Sequence, residues 1–155
     1  MRITLLTVGR LGRLPEAAIA LDYAARAAAA GKALGISPVE IIEVEARKPG
    51  KAAEGEALLA AVEPGSRLVA CDEHGEAWTS RSFAQRIAGW RDGGDRRLYL
   101  VIGGADGLSE AVLSAAQGKL AFGPQTWPHA LARLMLAEQV YRAVTILGGS
   151  PYHRD

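Results

Sequence analysis

Leu98-Tyr99-Leu100-Val101-Ile102, stopped by Gly103-Gly104, is the run that decides the fold. Successive side chains of a strand point to opposite faces, so a half-exposed strand alternates apolar and polar residues. This run is nearly all apolar. Both of its faces need cover, and a parallel sheet between layers of helix supplies it. Upstream, Asp92-Gly93-Gly94-Asp95 makes a turn, and residues 80–90 carry Phe83, Ile87 and Trp90 at helical spacing. Further strands are read at residues 67–71, at Val39–Val44 and at residues 3–8, the last ended by Gly9. Helices are read at residues 52–62, closed by Pro64-Gly65, and at Pro15–Gly31, since proline is tolerated in a first helical turn. Downstream, His129–Leu147 carries Leu131, Leu134, Met135, Val140, Tyr141, Val144 and Leu147 largely along one stripe, interrupted by Arg133 and Glu138. Strands alternating with helices predict an α/β sandwich, one domain over residues 1–155.

Bulk properties narrow the function classes. Hydrophobic residues make up 49% and charged residues 23%, an ordinary soluble globular balance. No apolar run approaches the roughly 18 residues that span a bilayer, and the alanine-rich residues 17–30 are broken by Asp22 and Arg26. Met1-Arg2-Ile3-Thr4 enters a strand directly, without a secretory leader pattern. A cytoplasmic protein with no membrane contact is expected. Cys71 is alone, which rules out an internal disulfide and argues against a cysteine metal cluster. A net charge of +1 excludes a highly basic nucleic-acid binder. Any RNA contact would rest on local basic surface around Arg10, Arg13, Arg47, Lys48, Lys51 and the tail, although each taken singly reads equally well as solvated charge.

Parallel sheets bind ligands at the carboxyl ends of their strands. Three such ends carry suggestive residues: Gly9-Arg10-Leu11-Gly12-Arg13, Cys71-Asp72-Glu73-His74-Gly75 and Gly103-Gly104-Ala105-Asp106-Gly107. The last has Gly-Gly-x-x-Gly spacing, which matches neither a dinucleotide fingerprint nor a phosphate loop. On spacing alone it reads as a βα turn. Asp72, Glu73 and His74 would point in alternating directions along an extended segment, so a surface turn is the better reading than a metal or acid–base cluster. No nucleophile elbow and no His-Glu-x-x-His motif is present. Glu138 and Arg142, four apart, read as a surface ion pair, and His129 as a helix-start residue with its ring in solvent.

The ordered set Ile102-Gly103-Gly104-x-x-Gly107-Leu108-Ser109, Thr126-Trp127-Pro128-His129-x-Leu131-x-Arg133, Ala137-Glu138-Gln139-x-Tyr141-Arg142-Ala143 and Pro151-Tyr152-His153-Arg154 goes further. It resembles the SPOUT-class 23S ribosomal RNA pseudouridine-N3 methyltransferases. The likeness extends to Thr7-Val8-Gly9, Gly55-Glu56 and Asp72-x-x-Gly75-x-x-Trp78, so it spans essentially the whole chain. It implies a Rossmann-like parallel sheet with a C-terminal deep trefoil knot, a rare exception to ordinary chain topology. It implies a homodimer with each active site at the interface, S-adenosylmethionine as cofactor, 23S ribosomal RNA as substrate and no metal. The positions matching the family's cofactor contacts are Cys71, Gly103, Gly104, Phe122, Gly123, Pro124, Gln125, Thr126 and Trp127. Cys71 would then be a small apolar wall and not a nucleophile.

The chain departs from the family pattern at three places. Cys71 stands where Leu is frequent, Ala105-Asp106 replaces a common Pro, and Ser150 stands where His often precedes the Pro-Tyr-His tail. Methyl transfer to a uracil N3 requires loss of the imide proton and stabilisation of charge on the ring oxygens. His153 or His129 are the candidates for proton handling, Arg154 and Arg133 for charge stabilisation and phosphate contact, and Tyr152 for stacking on a base. Two other readings stay open on the sequence: a non-catalytic ribosome- or RNA-binding module with a vestigial pocket, and a SPOUT methyltransferase for another RNA base.

Overall fold

The structure is a computed structural model, described over residues 1–154. Five strands, β1 (Arg2–Val8), β2 (Val39–Val44), β3 (Arg67–Glu76), β4 (Arg97–Ile102) and β5 (Gly118–Leu120), form one sheet in the order β2-β1-β4-β3-β5. All four neighbouring pairs are parallel. Every strand therefore delivers its carboxyl end to the same edge. The helices α1 (Pro15–Gly31), α2 (Lys51–Ala61), α3 (Ser80–Asp92), α4 (Glu110–Ala115) and α5 (His129–Leu147) cover its two faces.

The central strand β4 divides the core. Leu98, Leu100 and Ile102 pack with Ile3, Leu5, Ala24, Ile87, Leu136 and Val140, on the face covered by α1, α3 and α5. Tyr99 and Val101 face the other way, into Leu6, Val8, Leu58, Leu68 and Val112, under α2 and α4. The near-continuous apolar run is thus two alternating faces, each with its own cover. Helix α1 lies close because its inward stripe is small: Ala20, Ala24, Ala27 and Gly31 are all buried. At Gly31 the fit is absolute, since an added Cβ would sit 2.1 Å from the Ile36 carbonyl oxygen.

Two elements and one boundary differ from the sequence reading. Helix α4 and strand β5 were not anticipated, because six and three residues are too short to show a period. The start of α4 does carry a local signal: the Ser109 side chain caps it by accepting from the Val112 amide. Strand β3 runs on to Glu76, where a surface turn from Asp72 was expected. Its far end returns to pair with Leu120 after an irregularity between Cys71 and Glu76. Gly75 permits this, since a Cβ there would lie 2.8 Å from the Lys119 backbone.

Candidate active site

A cleft of about 590 Å³ opens at the carboxyl edge of the sheet, where β3 and β4 end and α5 begins. Its volume lies within the usual range for cofactor sites. Gly103 and Gly104 form one wall; backbone holds the first to glycine, and the second lies against the end of a side chain. A Cβ on Gly103 would stand 2.6 Å from the Gly107 carbonyl oxygen, and one on Gly104 would stand 2.7 Å from a Glu54 carboxylate oxygen. That Glu54 oxygen is buried and has no hydrogen-bond partner. Glu54 was not singled out from the sequence, and nothing in its local pattern marks it: only the packing of α2 beneath the β4 turn brings it there.

Phe122, Gly123, Gln125, Thr126 and Trp127 form the opposite wall, with Leu120 and Ile102 at the base. The loop is closed on itself: the Trp127 indole N–H donates to the Phe122 carbonyl at 3.2 Å, and Gly123 takes φ +94°. Only glycine adopts that backbone without strain. Cys71 lines the cleft too, and burial pushes its thiol up to about 12, so it stays protonated and acts as a small apolar wall. Pro124 is exposed on the loop and does not line the cleft.

The charge of the cleft was missed by the sequence reading. Asp72, Glu73 and Asp106 line it, with no lysine or arginine among the described lining residues. Asp72 accepts from the His74 amide at 3.0 Å. His129, the first residue of α5, is exposed at the rim. Among the described residues, no group of three His, Cys, Asp or Glu could hold a metal ion.

Arg133 needs correction. It is not a solvent-facing cation: only 3% of its side chain is exposed, its Nη1 pairs with Glu43, and its Nη2 donates to the Gly9 carbonyl at 3.1 Å. Glu43 also accepts from the Leu11 amide at 3.1 Å. Burial pushes the Glu43 carboxyl up, but the Leu11 amide and the Arg133 guanidinium outweigh it and hold it below the usual carboxylate range. Arg133 therefore ties α5 to the β1–α1 loop and does not present its guanidinium to solvent.

The tail residues Tyr152, His153 and Arg154 line no part of this cleft in their own chain. The tail folds back along α5. The Tyr152 hydroxyl donates to Glu138 at 3.0 Å, its ring packs edge-on against Tyr141 at 4.7 Å, and the Arg142 guanidinium lies 4.9 Å over it. His153 Nδ1 is 3.2 Å from Arg142 Nη1. The Glu138–Arg142 pair, read from the sequence as a surface pair, is about four-fifths buried and anchors the tail.

Residues 1–153 match the model of a family described as predicted SPOUT methyltransferases. The chain belongs to the SPOUT methyltransferase family. It is 66% identical over all of its length to the ribosomal RNA large subunit methyltransferase H of Caulobacter sp. (strain K31), which it covers completely. It is 62% identical to the protein of the same name from Phenylobacterium zucineum (strain HLK1), again over the whole of both chains. Among solved structures, a methylase family protein from Haemophilus influenzae Rd KW20 is similar at TM-score 0.51 and 14% identity, covering 99% of this chain and 70% of that one, a likeness of fold.

Proposed function

We propose that this SPOUT methyltransferase transfers a methyl group from S-adenosylmethionine to N3 of a pseudouridine in 23S ribosomal RNA. The observation that carries the reading is the cleft at the strand ends. It gathers eight residues from three separate stretches, Cys71, Gly103, Gly104, Phe122, Gly123, Gln125, Thr126 and Trp127, at the positions where the family's cofactor contacts fall. The residues suit such a cofactor: aromatic and aliphatic walls for an adenosyl group, backbone groups at two glycines, and three carboxylates for a ligand carrying sulfonium and ammonium charge. When bound, it supplies an electrophilic methyl group. The protein's part is to hold the uracil edge against it, exclude water, and manage one proton.

The tail supplies the polar groups for that task from a second copy of the chain. An apolar groove lined by Ile19, Tyr23, Phe122, Leu134, Met135, Glu138 and Gln139 runs between α1 and α5, touching the cleft at Phe122 and the tail anchor at Glu138. Ile19, Leu131 and Trp127 stand exposed nearby, the apolar surface a homodimer would cover. Across such an interface the partner's tail reaches the cleft that its own chain's tail does not. Arginine has no acceptor, so the contact with Arg142 makes His153 Nδ1 the acceptor and puts the neutral ring's proton on Nε2. That tautomer suits His153 to donate to charge developing on a uracil oxygen. It leaves His129, at the cleft rim, as the proton acceptor. Arg154 adds charge stabilisation and Tyr152 fixes the tail. The finer readings of a trefoil-knotted C-terminus, a single domain and a cytoplasmic location go with this assignment; no helix among the described residues is long and apolar enough to cross a membrane. Mass spectrometry of 23S ribosomal RNA from cells lacking the gene tests the proposal: one methylpseudouridine should disappear and return with the gene. An unchanged modification profile would refute it.

A further inference from the structure

The carboxyl edge of the sheet is electrically divided. The cleft on the β3–β4 side is lined by Asp72, Glu73 and Asp106. On the adjoining β1–β2 side the two loops that follow the strands, with the first residue of α2, carry Arg10, Arg13, Arg47, Lys48 and Lys51, all exposed, against the single carboxylate of Glu45. Because β1 lies between β2 and β4, the basic loop after β1 is next to the end of β4 and the one after β2 is a strand farther out. A cationic cofactor and a polyanionic substrate would thus each meet the sign of charge that attracts it.

The basic loop after β1 is built to a fixed shape. Gly9 and Gly12 take φ +78° and +57°, which turns the chain sharply on either side of Leu11. Leu11 is buried, and its amide donates to Glu43. Arg133, one turn into the helix that starts at the cleft, ties Glu43 and the Gly9 carbonyl together. With Leu11 fixed inward, Arg10 and Arg13 project outward on either side of it. Arg10 meets Glu45 at 3.1 Å, but both side chains are well exposed, so the pair is weak and easily exchanged for a phosphate. Among the described residues, no hydrogen bond or ion pair engages the side chains of the other four cations.

We propose that residues 9–14 and 45–51 form a phosphate-binding rim, which holds the RNA backbone beside the target nucleoside and is set in register with the cleft by the Arg133–Glu43 pair. The proposal rests on the RNA-methyltransferase reading above. It differs from that reading in naming where the strand runs: over β1 and β2, away from the carboxylates of the cleft.

The test compares two charge-reversed proteins. One carries Arg10→Glu, Arg13→Glu, Arg47→Glu and Lys48→Glu. The other carries Lys32→Glu and Arg96→Glu, both exposed at the opposite end of the sheet. Binding to ribosomes from cells lacking the gene is followed by sedimentation from 50 to 200 mM salt, alongside calorimetric titration of S-adenosylmethionine. The rim variant should bind ribosomes at least about tenfold more weakly, and its log–log salt slope should fall by about 0.7–0.9 for each phosphate that it no longer neutralises. Its cofactor affinity should equal that of the wild type, which also shows that it is folded. The opposite-end variant should behave as wild type. Wild-type ribosome affinity and salt slope in the rim variant would overturn the rim while leaving the methyltransferase reading standing. So would an equal loss in the opposite-end variant. A wild-type protein that methylates no ribosomal RNA would overturn both.

Discussion

Helix α5 holds an arginine–glutamate pair near each end, and the two do different work. Arg133 reaches across 90 positions of sequence to Glu43 and fixes the loop after β1 beside the cleft. Arg142 reaches back one turn to Glu138 and, with it, holds Tyr152 and His153. The first pair joins the helix to the sheet edge; the second joins it to the tail. The amino-terminal half of α5 thus belongs to the cleft, and the carboxyl-terminal half presents groups that its own cleft does not contain. On the proposed reading, a site assembled from both halves takes two copies of the helix.

The largest effect expected separates the two halves outright. A chain ending at residue 150 should lose methylation by about a thousandfold, near 4 kcal/mol of transition-state stabilisation. Its S-adenosylmethionine affinity should stay within about twofold, since no described tail residue lines the cleft of its own chain and the partner's tail is assigned to the RNA. Single-turnover methylation of ribosomes and calorimetric titration measure the two quantities. A truncated protein that methylates at the normal rate would sink the role given to the tail. One that fails to bind the cofactor would erase the division between the halves.

Next in size is the cleft-side pair. Arg133→Met removes charged hydrogen bonds to Glu43 and to the Gly9 carbonyl, and should destabilise the fold by about 2–3 kcal/mol in urea unfolding. The penalty should depend on pH. Glu43 titrates below its ordinary range in the folded chain, so its contribution is complete above the unfolded glutamate value near 4.3 and is lost as pH falls through the lower folded one. The gap between wild type and variant should therefore narrow in acid. A gap that is constant from pH 7 to pH 3 would mean that the ion pair is not what holds the loop.

These two pairs also show what the sequence could and could not disclose. Glu138 and Arg142 are visible as a pair because helical geometry fixes the neighbour four residues on. Their burial is not visible, because it depends on a tail that returns after Gly148-Gly149. Arg133 breaks an apolar stripe and so looks like a surface cation; its partner sits on β2, and only the order of strands brings the two together. Most of the helix and strand pattern was legible for the opposite reason. The all-apolar β4 and the period of α5 are local properties. Asp72 and Glu73 read as part of a surface turn, whereas the irregular pairing of β3 with β5 is a tertiary feature. Of the nine positions that the resemblance assigns to the cofactor, eight line the cleft and Pro124 does not, whereas spacing alone gives only a glycine turn.

The smallest effect tests the tail half by one hydroxyl. Tyr152→Phe keeps the ring against Tyr141 and under Arg142 but removes the hydrogen bond to Glu138, and should cost about 0.5–1.5 kcal/mol. Burial, with hydrogen bonds to Tyr23 and Glu138, raises the phenol above its ordinary range, so the hydroxyl remains a neutral donor. Its contribution is therefore complete below the unfolded tyrosine value near 10 and is lost as pH rises through the higher folded one. Thermal unfolding of both proteins from pH 7 to pH 11 should show a constant difference that shrinks only at the alkaline end. Because Glu138 still pairs with Arg142 in the variant, methylation should fall only a fewfold. A loss as deep as that of the truncated chain would instead make the hydroxyl, and not the placement of the tail, the group on which the reaction depends.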